Sequence, residues 1–534
     1  MLTYIKYVLL LLAVIIASVG SDQILVIPAS LIEILFIFYI SNNLLKNYNK
    51  IGYCVNFILS FIFLLQQGVL FFSGEYISEI MVDNLNMVGN LGSLLSVYIM
   101  SAIGVLIIAF LPCRYIYLPF LKKKVMIIVV AFYICLLFFM YRSTYQLCSP
   151  YLMFCKTSKN IVLANISRYR YRISDEDKRR FFVEFHQDSI KRSDVIQQRH
   201  IPRYPNVIVL FVEGLSMGVL DVGNDMNINL TPNLDELYKK SIVFENYYNQ
   251  SAATFAGLKG QLYSGFFYPN GTDVTRLEER NSPFKLISLI DILKKNNYTT
   301  SFVNVEPQVE FIVDYFKSFS FDNIYSNNIT DRRLSDKEAF GLLETVIKNS
   351  EKPYFIGMYN IGTHHGFDSP DLKYGDGKSE IFNRFYNYDA QFGVFFNNLL
   401  KNNLLDNTIL IVTTDHASYH SIEFRKTFKN TSSYFIDKIP LFVYWNGVNH
   451  EVINVDGRNS VDLAPTILDM IDVNGENYFL GTSLFLKEKN LYNTTSTIGQ
   501  FFYYTGNNKV EPLFDGNTEN IWAIKKFYSI SDND

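Results

Sequence analysis

Three stretches of this chain place metal-binding and proton-carrying side chains at the ends of apolar runs. The run Thr408-Ile-Leu-Ile-Val412 leads into TTDHASYH, which brings Asp415 and His416 together and His420 one helical turn further on. VIVLFV ends in Glu213, and YFIGMY leads into NIGTHHGFD with His364 and His365. An ionised carboxylate at the mouth of a buried strand is costly unless a cation or a donor compensates it, so a divalent metal ion suits Glu213, Asp415 and His416. Each stretch alone also has a plainer reading. A strand-end aspartate can cap the next helix, and a single histidine can be a buried structural one. Three such stretches on successive strands argue for a shared site.

The chemistry then needs a nucleophile. Asn249-Gln-Ser-Ala-Ala-Thr254-Phe-Ala-Gly257-Leu puts Thr254 where a loop gives way to a helix, so its hydroxyl sits among free N–H groups that favour a phosphate. By spacing alone Thr254 is a helix cap. Beside a divalent ion it becomes a nucleophile, because the ion lowers the hydroxyl's pKa and shields the phosphoryl charge during in-line attack. Of the seven histidines, His186, His200 and His450 lie away from strand ends, which favours one ion over two.

These residues need a scaffold, and the pattern around them supplies one. Apolar strands at Val207–Val212, Thr300–Val305, Tyr354–Tyr359, Thr408–Val412 and Ile439–Trp445 alternate with helical stretches at Pro232–Lys240, Ile287–Asn296, Arg332–Asn349 and Arg384–Asn402. Such alternation predicts an α/β domain with a mostly parallel sheet between helices. Ligands collect at the carboxyl ends of strands in sheets of this kind, where the candidate residues stand.

The first third of the chain is different. With 49% hydrophobic residues and a mean hydropathy of +0.10, the 534-residue chain is too apolar for an average soluble protein. Stretches near 4–20, 24–44, 52–72, 91–112 and 125–141 predict about five transmembrane helices of ~17–25 residues each. Lys46, Lys50, Arg114 and Lys122 to Lys124 fall in alternate loops, which puts the amino terminus in the cytoplasm and everything after residue 141 outside it. The domains expected are therefore a transmembrane part at 1–141, a charged juxtamembrane linker with amphipathic helices at 142–205, and an extracytoplasmic catalytic domain at 206–534. Cys148 and Cys155 are close enough in sequence to bridge just after the last span. The net charge of -3 says little about partners, and no basic stripe with interleaved aromatics suggests a nucleic-acid partner.

The ordered landmarks VLFVEGLS, LTPNLDELYKKSIVFENYYNQSAATFAGL, NIGTHHGFD, LDNTILIVTTDHASYH, KIPLFVYWNG and SVDLAPTILDMI followed by LGTSLF resemble the alkaline-phosphatase and sulfatase superfamily. Within it, the chain looks like the membrane-anchored phosphoglycerol and phosphoethanolamine transferases, which include lipoteichoic acid synthase and the glucan phosphoglycerol transferases. The resemblance implies that Glu213, Asp415 and His416 are metal ligands and that Thr254 is both nucleophile and ligand. It implies that His364 contacts the substrate, with His365 a weaker candidate and His420 a neighbour of the metal shell. One divalent ion is implied, and manganese, magnesium and zinc all suit this donor set. The implied reaction moves a phosphoglycerol group from a membrane phospholipid to a cell-surface or lipid-linked glycan, at a bacterial inner or cell membrane.

Phosphoethanolamine transfer is the alternative, as are a phosphodiesterase or sulfatase-type hydrolase and a non-catalytic scaffold. Sulfatases make their formylglycine from a Cys or Ser followed by Pro and Arg, and Thr254-Phe-Ala-Gly257 offers none of these. The phosphoethanolamine enzymes acting on lipid A usually carry several disulfides in this domain, which its cysteines cannot form. The stretch Asn304 to Phe311 lacks the tryptophan and arginine with which lipoteichoic acid synthase holds its substrate, whereas the Thr254 context is similar to the glucan phosphoglycerol transferases.

Overall fold

The computed structural model describes residues 2–21, 23–78, 81–82, 94–117, 123–143, 149–170, 175–197, 199–267, 285–307, 310–326, 332–430, 435–498, 501–513 and 524. The chain divides into two compact units, Met1–Arg170 with His420–Ser433, and Tyr171–Tyr419 with Tyr434–Asp534.

In the first unit, the helices Leu2–Gly20, Ile24–Asn47 and Asn49–Ser73 are long and apolar enough to cross a membrane. Among the described residues three helices are thus long and apolar enough, where the sequence predicts five spans. The fourth predicted segment contains the shorter apolar helix Leu94–Phe110, of 17 residues. The fifth is the helix Lys123–Ser143, which falls outside that set. Two ionisable side chains sit inside the apolar helices, and each has partners. Lys6 donates from Nζ to Asn56 Oδ1 at 2.6 Å and to the Ala109 carbonyl at 2.7 Å, and Glu33 accepts from the Tyr133 hydroxyl at 2.5 Å. Such pairing is what makes a polar group tolerable in apolar surroundings. The bridge considered for Cys148 and Cys155 falls on Cys148, outside the described residues.

The second unit opens with the helices Asp175–Glu184 and Asp194–Gln197 of the polar stretch, and then forms an eight-stranded sheet. The strands are β1 (Asn206–Val212), β2 (Ile242–Glu245), β3 (Thr299–Asn304), β4 (Asn323–Ser326), β5 (Tyr354–Tyr359), β6 (Thr408–Thr414), β7 (Phe442–Tyr444) and β8 (Glu451–Asn454). Their order is β4-β3-β5-β1-β6-β7-β2-β8. Only β7 runs against its neighbours β6 and β2; the other pairings are parallel. Every residue of β1, β5 and β6 is buried, as expected for central parallel strands covered on both faces. A separate antiparallel sheet joins β9 (Thr495–Ile498), β10 (Phe501–Tyr504) and β11 (Glu511–Pro512).

Register decides where the chemistry collects. Val212 of β1 pairs with Thr414 of β6, so the next residues on these neighbouring strands are Glu213 and Asp415. On the other side of β1, Phe211 pairs with Tyr359, which sets the segment carrying His364 and His365 beside Glu213.

Candidate active site

Glu213, Asp415 and His416 are buried together, and one ligand atom from each lies within 4.8 Å of the others. His416 Nε2 is 3.4 Å from Glu213 Oε1 and 3.4 Å from Asp415 Oδ2. The turn after β1 makes this possible. Gly214 adopts a φ of +52°, which suits a residue without a Cβ, and its N–H reaches Asp415 Oδ1 at 2.8 Å. The same oxygen accepts from the His416 N–H at 2.7 Å, whereas Asp415 Oδ2 is buried with no hydrogen-bond partner. Leaving a buried carboxylate oxygen unpaired costs about 1–3 kcal/mol or more, so that atom is suited to a cation. Asp415 caps no helix; the next helix, Ile422–Phe428, takes its cap from Ser421.

The protonation pattern points the same way. Burial pushes the Asp415 carboxyl up and the charge of Glu213 adds to it, to about 7. Burial also acts to raise Glu213, but the His416 charge and hydrogen bond, with His364 and Tyr359, hold it down at about 2. Burial acts to lower His416, and the two carboxylates overcome it and keep the imidazole at about 9. Two carboxylates this close share their protons unevenly until a positive charge joins them. The residues present therefore fit a divalent ion. His416 Nδ1 donates to the Ala417 carbonyl at 2.7 Å, which fixes the tautomer with Nε2 turned to the carboxylates. Among the described residues, no second group of three or more His, Cys, Asp or Glu side chains is arranged to hold an ion.

Thr254 opens the helix Thr254–Tyr263 and points its hydroxyl into this group, donating from Oγ1 to Glu213 Oε2 at 3.1 Å. It does not cap the helix. The cap position is Ala253, whose backbone holds a φ of +71°. A non-glycine residue there carries about 1–3 kcal/mol of strain, a device common where a chain aims a reactive side chain. Two contacts pin the helix to the site: Gln261 Nε2 donates to the Thr414 carbonyl at 2.9 Å, and the Tyr315 hydroxyl donates to the Phe255 carbonyl at 2.6 Å. Gly257 lets the helix approach closely, since a Cβ there would lie 2.2 Å from the Asp415 carbonyl oxygen. Gly257→Ala is expected to cost about 1–3 kcal/mol of stability by overpacking, and about a hundredfold in turnover through the shift of Thr254. Thermal melts and steady-state rates check it, and an unaltered rate would show that this approach does not position the hydroxyl.

His364 is half-buried, and its Nδ1 donates to the His365 carbonyl at 2.7 Å. Burial keeps the imidazole neutral, with the charges of His416 and Arg333 adding to that effect and Glu213 opposing it. It thus presents Nε2 as a proton acceptor. The His365 ring lies tilted against Tyr419 with ring centres 5.0 Å apart, and burial followed by the charge of Arg384 lowers it to about 3. Both its ring nitrogens are buried without a hydrogen-bond partner. His420 is grouped with the first unit, where its ring stacks on Phe424, and the chain from Asp415 to His420 forms no helix.

Sequence reasoning missed the side chains that hold Glu213. Tyr359 donates its hydroxyl to Glu213 Oε2 at 2.6 Å, Thr363 Oγ1 donates to the Glu213 carbonyl at 2.6 Å, and Asn360 Oδ1 accepts from the Glu213 N–H at 3.3 Å. Tyr359 ends β5 as Val212 ends β1, so the signal was present only in the pairing of the two strands.

The sulfatase family model matches residues 205–473, half of the chain. The chain belongs to the sulfatase family. The match takes in every candidate residue of this sulfatase-family chain, from Glu213 to His420. Among curated proteins, lipoteichoic acid synthase 2 of Bacillus subtilis (strain 168) is 23% identical over 312 residues, covering 53% of this chain and 47% of that protein. Lipoteichoic acid synthase of Staphylococcus aureus (strain NCTC 8325 / PS 47) is 24% identical over 215 residues, covering 36% of this chain and 32% of that protein. The matches thus span less than half the length of these relatives. Among solved structures, a protein in the alkaline phosphatase superfamily from Vibrio parahaemolyticus aligns with a TM-score of 0.49 and 21% identity over 62% of this chain and 88% of its own. The lipoteichoic acid synthase LtaP from Listeria monocytogenes aligns with a TM-score of 0.48 and 17% identity, over 64% of this chain and 95% of its own.

Proposed function

We propose that this protein transfers a phosphoglycerol group from a membrane phospholipid, phosphatidylglycerol, to a hydroxyl of a cell-surface or lipid-linked glycan through a phospho-Thr254 intermediate. The observation that carries the reading is the Thr254 hydroxyl donating to Glu213 inside a buried group of two carboxylates and an imidazole. Glu213, Asp415, His416 and Thr254 would hold one divalent ion, whether manganese, magnesium or zinc, which supplies the positive charge that favours the threonine alkoxide and offsets the phosphoryl oxygens.

Thr254 Oγ1 forms a bond to phosphorus as the bond to the diacylglycerol oxygen breaks; the proton that Thr254 directs at Glu213 Oε2 passes on to the departing oxygen, so diacylglycerol leaves as an alcohol. The glycan hydroxyl then attacks the phosphorus of the phosphoglycerol-threonine as the bond to Oγ1 breaks. His364, as a neutral imidazole, takes the proton from that hydroxyl and returns one to Thr254 Oγ1. One helix and three strand ends fix these groups before substrate arrives, which favours a near-attack geometry.

The three membrane-capable helices fit a lipid donor, since they would anchor the chain in a phospholipid bilayer. Lys46 and Lys50, at the junction of the second and third helices, favour a cytoplasmic junction, and an odd number of crossings then puts the chain after residue 141 outside. The parity is the same for three crossings and for five. Support for a phosphoglycerol group comes from the curated relatives, which are named as lipoteichoic acid synthases. Sulfate ester hydrolysis is disfavoured because Thr254 cannot be converted to formylglycine.

The purified protein given phosphatidylglycerol vesicles and manganese is expected to release diacylglycerol. His364→Ala should slow the second step by about 10²–10⁴-fold, the usual contribution of a general base, with the lipid KM little changed. Metal-loaded, folded protein that releases no diacylglycerol would end the reading. Unchanged kinetics in His364→Ala would remove that histidine from it.

A further inference from the structure

Beyond the end of β3 the chain continues as Val305-Glu306, and the segment before the helix Asp336–Asn349 is laid against it by the Leu334 N–H, which donates to the Val305 carbonyl at 3.0 Å. Arg333 lies in that segment. Its Nε donates to Glu306 Oε2 at 2.7 Å, and its guanidinium carbon stands 5.3 Å from the centre of the Phe367 ring. The His364 ring lies 4.9 Å from the same phenyl ring. One aromatic side chain therefore carries both the candidate proton acceptor and a cation.

The surroundings of Arg333 are uneven in a telling way. Glu306 is buried, with 9% of its side chain exposed, while Arg333 keeps 26% exposed. Burying an ion pair recovers little stability, so such a pair at a strand end is weak as a purely structural element. What it achieves is orientation: a carboxylate and a ring fix the plane of the guanidinium before any ligand arrives. A guanidinium has five N–H donors in one plane and suits paired phosphate oxygens. Its neighbour Arg332 is committed elsewhere, donating to both carboxylate oxygens of Glu338 at 2.7 and 2.8 Å. The field of this pair reaches the site, since burial and then the charge of Glu213 raise the Glu306 carboxyl while Arg333 lowers it.

We infer that Arg333, oriented by Glu306 and Phe367, binds the non-bridging oxygens of the phosphate that Thr254 receives. This rests on the phosphoryl-transfer reading above.

The test is calorimetric titration of the full-length, manganese-loaded protein in detergent with glycerol phosphate, alongside detection of a Thr254 adduct from phosphatidylglycerol. Arg333→Gln is expected to weaken glycerol phosphate binding about 10-fold to 100-fold, the loss of a charge-assisted contact, with manganese affinity unchanged. Arg333→Lys should restore part of it, and Arg332→Gln should leave it intact. Equal binding by Arg333→Gln and the unaltered protein overturns the inference, including the case in which both bind nothing. If Arg333→Gln loses only thermal stability, and Arg333→Lys restores only that, the pair is structural and the inference is again overturned. Arg333-dependent binding without any Thr254 adduct supports the anion site and overturns the transfer reading. An adduct that forms with the same KM for phosphatidylglycerol in both proteins overturns the site and leaves the reading standing.

Discussion

Thr254→Ala is expected to lower turnover at least about 10⁴-fold while leaving the fold and metal binding in place. Nucleophile deletions in enzymes with a covalent intermediate remove rate on this scale because the residual reaction must use another path. The substitution deletes one hydroxyl and its 3.1 Å bond to Glu213 Oε2, but that oxygen keeps the Tyr359 hydroxyl at 2.6 Å. Alanine also suits the first position of a helix that Thr254 does not cap. Stability should therefore stay within about 0.5 kcal/mol, as for most changes that disturb no packing. Thr254→Ser should keep part of the rate, since the oxygen survives. Diacylglycerol release and a thermal melt on the same preparation decide the matter, and an alanine variant with the full rate would remove Thr254 from the chemistry.

Asp415→Asn should show opposite effects with and without metal. An asparagine keeps the Oδ1 acceptor for the Gly214 and His416 N–H groups. What changes is the second oxygen, buried and unpartnered, which becomes an uncharged amide. Without metal the variant is expected to be the more stable protein, because a crowded buried negative charge is gone. With manganese it should lose at least about 100-fold in affinity, since even outer-shell changes cost 10–100-fold. The unaltered protein gains about 2.7 kcal/mol from metal at a hundredfold excess over Kd, and the variant should gain little at the same concentration. Thermal melts over a manganese titration read both signs. An Asp415→Asn melt that rises with manganese as the unaltered protein's does would show that this carboxylate is not a ligand.

The parts of this molecule that were legible in the sequence are those with local signals. Continuous apolar runs such as NVIVLFV and TILIVTT are buried parallel strands and were readable as such, and so was the clustering of Glu213, Asp415 and His416 at strand ends. Of the strands that were missed, Asn323–Ser326 and Glu451–Asn454 at the sheet edges are short and carry half-exposed or polar residues, whereas Ile242–Glu245 is mostly buried but only four residues long. The expected strand Ile439–Trp445 shortens to Phe442–Tyr444 because Pro440 has no N–H to give the ladder. Helix starts shifted to their caps: Ser335 with Glu338 begins one helix at Asp336, and Ser379 begins another at Glu380. The bond from Thr254 to Glu213 joins residues 41 apart, and the Glu306 and Arg333 pair spans 27. Neither separation leaves a local periodicity to read.

The measurement that tests the central claim most directly is mass spectrometry of the purified, metal-loaded protein after incubation with phosphatidylglycerol and, separately, with phosphatidylethanolamine. The account predicts a phosphoglycerol adduct on Thr254 from the first lipid and none from the second. A phosphoethanolamine adduct on Thr254 would keep the nucleophile and contradict the head group. An adduct on another residue, or none from either lipid in folded protein with metal bound, would contradict the mechanism itself.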